Sequence, residues 1–99
     1  MIDKEFRERL ERMFKDEPHK PQLFEDHAYD KSIIGMTNTG QFLYDYARMV
    51  KEFMEDENCS EDTAIEWIEY NTIPALEYNS YPYKPVVMYR MEYLEDLYD

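Results

Sequence analysis

Glycine is nearly absent from this chain: Gly35 and Gly40 are the only two in 99 residues. A phosphate cradle needs several glycines in one loop, so P-loop and dinucleotide-fingerprint chemistry are excluded. Cysteine is scarcer still. Cys59 stands alone, so no disulfide can close within these residues, a usage that fits a reducing cytosol. It precedes a predicted helix, flanked by Glu57 and Glu61 with no paired histidine, and reads as a loop thiol rather than a nucleophile. His19 and His27 are the only histidines and do not have ligand spacing on one element. No apolar run approaches a membrane span. The first fourteen residues are charged throughout and lack the apolar stretch of a secretory leader. The expectation is a soluble, cytoplasmic protein that uses no cofactor, holds no metal and touches no membrane.

Basic residues are the next shortage, and it is local. Lys4, Arg7, Arg9, Arg12, Lys15 and Lys20 balance the six acids of the first twenty residues, whereas the remainder carries 17 acids against 5 bases. The net charge of -12 therefore falls wholly after residue 20. Such a surface repels nucleic acid and anionic lipid and attracts basic proteins. Aromatics at 16 %, ten of them tyrosine, argue against an acidic disordered chain, which would be poor in them. A chain of this length builds one small domain.

Phe6, Leu10, Met13 and Phe14 recur at helical spacing, and four acid-before-base pairs at i, i+4 support them, so residues 3–16 read as a charged helical arm with Asp3 as its cap. Pro18 and Pro21 end it, residues 17–31 form a polar connector with Leu23, Phe24 and Tyr29 as its anchors onto the body, and the compact body spans 32–99. Within the body, residues 32–46 predict a β-hairpin turning at Thr37-Asn38-Thr39-Gly40. Asp45 is placed to cap a helix over 46–57 with Tyr46, Val50, Phe53 and Met54 on one face, and Ser60 to cap a third helix, which Pro74 ends. Ala64, Ile65, Ile68 and Thr72 give that helix its buried stripe. Trp67 beside them is expected as a core anchor covered by Phe42 and Tyr44. Residues 85–89 read as a third strand and 91–98 as a short final helix. The fold class is α+β: a ββααβ body with a three-stranded antiparallel sheet and a packed helical hairpin, flanked by a helix at each end.

The block Tyr44-Asp45-Tyr46, Phe53-Met54-Glu55, Cys59-Ser60-Glu61 and Ala64-Ile65-Glu66-Trp67-Ile68-Glu69-Tyr70-Asn71-Thr72-Ile73, preceded by Ile34-Gly35-Met36, resembles a family of small acidic proteins from bacteriophages and prophages of Gram-positive and gut bacteria. The likeness covers residues 33 to 88. The arm and the tail after Tyr89 lie outside it. Pro74 and Glu77 depart from its pattern, which would have a basic residue and a proline there. It implies origin and fold, and no activity.

No catalytic constellation is present, so the chain is expected not to be an enzyme. Between Asp45 and Glu77 ten acids face only Arg48 and Lys51. Asp62, Glu66 and Glu69 share one helix face, and Glu52–Asp56 and Asp62–Glu66 are like-charge i, i+4 pairs, each unfavourable by about 0.2–0.5 kcal/mol. A helix–turn–helix DNA reader is excluded because its second helix would carry acids and no base. Metal binding by Asp62, Glu66 and Glu69 lacks any supporting ligand motif. The expected partner surface is Glu52, Glu55, Asp56, Glu61, Asp62, Glu66 and Glu69, imitating a nucleic-acid backbone toward a basic host protein with a nucleic-acid-binding groove, as an anti-CRISPR or anti-restriction inhibitor does. The bland alternative is a solvated face that keeps the protein soluble. A second candidate surface is aromatic, Tyr78, Tyr81 and Tyr83, which would serve a structural or interaction module or a homodimer.

Overall fold

The computed structural model describes residues 4–98. Helix α1 covers Lys4–Met13, a 3-10 helix His27–Ser32, strands β1 and β2 Ile33–Met36 and Phe42–Asp45, and helix α2 Tyr46–Glu57. Helix α3, Glu61–Trp67, passes through a π-helical turn, Ile68–Thr72, into α4, Ile73–Tyr78. Strand β3, Val86–Met88, and helix α5, Met91–Tyr98, complete an α+β fold. Asp3, expected to cap α1, lies outside the described residues.

The hairpin forms as its turn chemistry dictates. Thr37 N–H donates to Gln41 O at 2.8 Å, Gly40 N–H donates to Thr37 O at 3.1 Å, and Gly40 takes φ +81°, which a side chain would resist. Pairing skips Ile34, because Ile33 faces Tyr44 and Gly35 faces Leu43, so β1 carries a bulge. The sheet order is β1-β2-β3. The expected all-antiparallel sheet is corrected here: β2 and β3 run parallel, Leu43 against Val86 and Asp45 against Met88. Three helical segments separate these strands, and such a crossover returns the chain to the starting end of the strand it left. Gln41 Nε2 donating to Lys84 O at 3.1 Å marks the two starting ends side by side.

Pro74 does not end the third helix. A proline within an α-helix lacks its N–H and presses on the carbonyl four residues back. Here the backbone widens just before it, Ile73 N–H reaching Ile68 O, and the chain continues helically for another turn.

The core gathers Tyr29, Phe42, Tyr44, Tyr46, Met49, Val50, Phe53, Ala64 and Ile68. The predicted faces of α2 and α3 are the buried ones. The connector is anchored by Leu23, Phe24 and Tyr29 as expected, and its C-terminal end is a buried 3-10 helix rather than a polar link. Ala28, Tyr29 and Asp30 are buried, and Tyr29 shares a 3.1 Å hydrogen bond with Thr72, 43 residues away. Tyr44, wholly buried, accepts from Phe24 N–H at 3.1 Å, and burial holds its hydroxyl far above the usual tyrosine range.

The N-terminal helix is docked on this body. Leu10 and Phe14 pack against the core, the Phe14 and Phe42 rings meeting edge-on at 5.7 Å. Arg7 donates to Phe24 O at 2.7 Å and faces Asp30 at 3.8 Å. Asp30 is 1 % exposed, and its carboxylate accepts no hydrogen bond among the described residues. Desolvation raises its pKa, and the Arg7 charge opposes that rise. A folded-state pKa above the unfolded one means that Asp30 weakens the fold as pH climbs through it, and the strain disappears once the carboxyl is protonated. Arg7→Ala should therefore cost about 3 kcal/mol at pH 7, the usual penalty for stranding a buried charge. That penalty should shrink toward pH 4, and Arg7→Ala/Asp30→Asn should be more stable at pH 7 than Arg7→Ala. Urea denaturation of the three proteins across that pH range checks it.

Asp45 joins three elements at the other end of the sheet. It is 2 % exposed, accepts from Ala47 N–H at 3.2 Å as the cap of α2, and receives Arg90 Nε at 2.9 Å. Arg90 follows β3 and leads into α5. Asp45→Ala should lower stability by about 1–2 kcal/mol through the lost cap. Asp45→Ser, which keeps a capping hydroxyl, should lose less, and the gap between the two in urea denaturation isolates the cap from the Arg90 tether.

Candidate functional site

Two helices build the acidic region, and both begin on local chemistry. Asp45 starts α2, and Ser60 starts α3 by accepting from Thr63 N–H at 3.2 Å. Between them Asn58 adopts the left-handed conformation at φ 52°, and its N–H together with that of Cys59 closes on Met54 O. This tight link brings α3 back against α2, so the chain's densest run of acids lies on neighbouring helices.

The predicted acids divide by environment. Glu55, Asp56, Glu61, Asp62 and Glu66 are exposed. Glu52 is half-buried and sits 4.0 Å from Arg48. Glu69 is half-buried and accepts the Tyr46 hydroxyl at 2.8 Å, so one of its oxygens serves the fold. Helical spacing puts Asp62 and Glu66 on the outward face of α3, opposite the buried Ala64 and Ile68. Glu52, Glu55 and Asp56 share a face of α2. Among the described residues no three His, Cys, Asp or Glu side chains converge as a metal-holding group. No described helix is long and apolar enough to cross a membrane.

The tyrosines also divide. Tyr78 is 88 % exposed. Tyr81 donates its hydroxyl to Lys20 O, Tyr83 stacks on His19 at 5.1 Å, and Gln22 N–H donates to Tyr83 O at 2.9 Å. Tyr81 and Tyr83 thus hold residues 19–22 against the loop after α4.

Trp67 is corrected from core anchor to surface residue. It is 51 % exposed, its indole resting on Phe53 with ring centres 6.1 Å apart and planes 23° apart. Phe42 and Tyr44 are covered instead by Phe14 and Phe24. The reason is angular: on α3, Trp67 lies at the edge of the stripe centred on Ala64 and Ile68, so one side meets α2 and the other meets solvent.

Trp67 opens onto a feature that sequence reasoning missed. A cleft of about 680 Å³ runs between α2, α3 and the start of the 3-10 helix. Phe53, Trp67 and Tyr70 provide its aromatic surface, and Asp26, Glu57 and Glu66 its carboxylates, with no Lys or Arg among the described lining residues. Tyr70 is 75 % exposed. The three acids are separated by up to 40 positions, so no window of sequence contains them. Asp26 is held in place by accepting Ala28 N–H at 2.9 Å as the cap of the 3-10 helix. Glu57 ends α2, where the helix dipole adds to its negative potential. Tyr29 senses that field: burial above all, then the Asp26 and Glu57 charges, push its pKa up to about 12 against the lowering effect of the Thr72 hydrogen bond.

Comparison with protein-family models, with characterised proteins and with solved structures finds no match.

Half-burial sets the energetics of Trp67. Truncating a core tryptophan costs about 3–5 kcal/mol. A side chain with half its surface already in water should lose about 1–2 kcal/mol. Trp67→Ala should therefore remain folded, with an unchanged far-ultraviolet circular dichroism spectrum and a Tm lower by about 5–10 °C.

Proposed function

We propose that this chain is a phage-type accessory protein, not an enzyme, that acts in the bacterial cytoplasm. On this reading it binds a host protein that handles nucleic acid and occupies that protein's basic groove in place of DNA or RNA. The observation that carries the reading is the set of exposed carboxylates on α2 and α3, Glu55, Asp56, Glu61, Asp62 and Glu66, on a chain of net charge -12. Folding makes little use of them: they cap no helix described above and enter no described ion pair, and only Glu61 and Asp62, in the first turn of α3, are favoured by the helix dipole. Their mutual repulsion opposes folding slightly. A groove lined with Lys and Arg would reward the same repulsion, since closely spaced carboxylates present it with the charge density of a phosphate backbone.

Tyr78 supports a second reading, in which the chain is an interaction module or homodimer and its acidity serves solubility. A tyrosine 88 % exposed is a contact without a partner in the monomer. Tyr81 and Tyr83 contribute less to that reading, since both already make contacts within the chain.

The two readings differ in salt dependence. Capture from a bacterial lysate on the immobilised protein should retain a basic nucleic-acid-binding protein, released by an added oligonucleotide duplex. Its affinity should fall at least about tenfold between 50 and 500 mM salt, as screening shortens the reach of each charge. Replacing Glu55, Asp62 and Glu66 by Lys should weaken it comparably without unfolding the protein, and Glu69 is left intact because it accepts the Tyr46 hydroxyl. Binding indifferent to salt and to these replacements, but lost in Tyr78→Ala, would establish the second reading.

A further inference from the structure

The geometry points to a specific occupant for the cleft beside Trp67: an arginine side chain presented by a basic segment of a partner protein. This inference rests on the acidic-surface reading and refines it, replacing a diffuse charged face by one receiving site.

The cleft combines three properties that an arginine matches. Among the described residues its lining is negative without compensation: Asp26, Glu57 and Glu66 contribute carboxylates, and no described Lys or Arg lines it. The ion pairs of the described residues are Arg7–Asp30, Arg48–Glu52 and Arg90–Asp45, so no described cation is paired with Glu57 or Glu66. Its aromatic surface is open: Trp67 is 51 % and Tyr70 75 % exposed, on adjacent turns of one helical run. Large aromatics left half in water beside carboxylates are poor elements of a core and good faces for a cation. Its volume of about 680 Å³ falls within the range of about 300–1,000 Å³ typical of ligand sites, enough for a long side chain and part of its flanking backbone. Guanidinium suits such a place better than ammonium. It is planar, weakly hydrated and always charged, stacks on ring faces, and donates in a fork that carboxylates accept. The indole is pre-positioned, because Phe53 supports it from the core side and its backbone carbonyl accepts Asn71 Nδ2 at 3.0 Å.

Trp67 is the chain's single tryptophan, so its fluorescence reports on this cleft alone. The probe is an acetylated, amidated tri-arginine peptide, titrated at 50 mM salt with emission and calorimetric heat both followed. The expected result is a saturable change in Trp67 emission. Glu66→Gln and Tyr70→Ala, both at exposed positions, should each weaken binding by about threefold or more. Asp62→Asn, on the acidic face but outside the cleft lining, should weaken it by less than about twofold. Tri-lysine and tetramethylammonium should bind more weakly than tri-arginine. Heat of binding without an emission change, or equal weakening by Asp62→Asn and Glu66→Gln, overturns the cleft and leaves the diffuse acidic surface standing. Tri-lysine binding as tightly as tri-arginine overturns the guanidinium assignment. A saturable, Glu66-dependent emission change in a protein that captures no nucleic-acid-binding partner upholds the cleft and removes the groove-competition reading.

Discussion

The Asp45 carboxylate is where the structure is tied together. One side chain, almost wholly buried, closes the end of the central strand, starts α2 by capping it, and receives the arginine that follows β3. β2 has sheet neighbours on both sides, and α2 leaves it without a loop, so the direction of α2 is set within one residue of the sheet. A helix so short cannot rely on propensity, and the cap together with its packed face makes it persist. Because Arg90 remains partly in water, the pair avoids the desolvation that makes fully buried ion pairs poor stabilisers. The Arg7–Asp30 pair, nearly out of water on both sides, is of the opposite kind, and holds α1 at a site where the acid alone would be unfavourable.

Around that junction the core is built largely from tyrosine. Tyr29, Tyr44 and Tyr46 are each at most 1 % exposed. A buried hydroxyl costs free energy unless it is paired, and each of these finds a partner far away in sequence: Thr72, Phe24 N–H and Glu69 respectively. Each pairing joins two separate segments: the 3-10 helix to the π turn, the connector to β2, and α2 to the π turn. A leucine core of equal volume would bury as much apolar area without specifying which segments meet. For a domain this small, where little apolar area is available, directional contacts of this kind choose the arrangement.

What was legible in the sequence follows the range of the interaction involved. The caps at Asp45 and Ser60, the turn at Gly40 and the buried faces of α2 and α3 depend on residues a few positions apart, and all were readable. The direction of β3 was not. Three residues of Val-Val-Met pair equally well either way, and only the crossover through three helical segments settles it. The continuation past Pro74 depends on a π turn whose widening no local pattern announces. Tyr29 was readable as an anchor of the connector, whereas Asp30 lay hidden in a polar stretch because its burial is answered by Arg7 from another element. Trp67 was misplaced because an edge position on a helix is decided by its neighbour, and α2 covers only one side. Most of the candidate acidic surface was legible as charge, whereas the cleft joins residues near 26, 57 and 66 and required the tertiary fold.

The acids show how the charge is allocated. Asp26 and Asp45 cap helical turns, Asp30 faces Arg7, and Glu69 holds the Tyr46 hydroxyl. Each is answered by a donor or a cation, and folding accounts for it. Glu55, Asp56 and Glu66 are not answered in this way, and they stand on the two helices beside the cleft that Trp67 lines. The first helix of the same chain shows the alternative. There every acid among Glu5, Glu8 and Glu11 is followed four residues later by a base, which neutralises the surface. Solubility alone would be served by charge of either arrangement. A chain that balances one helix and leaves two others net negative keeps potential that folding does not answer, and beside an open indole that potential suits a cation able to use both the charge and the ring.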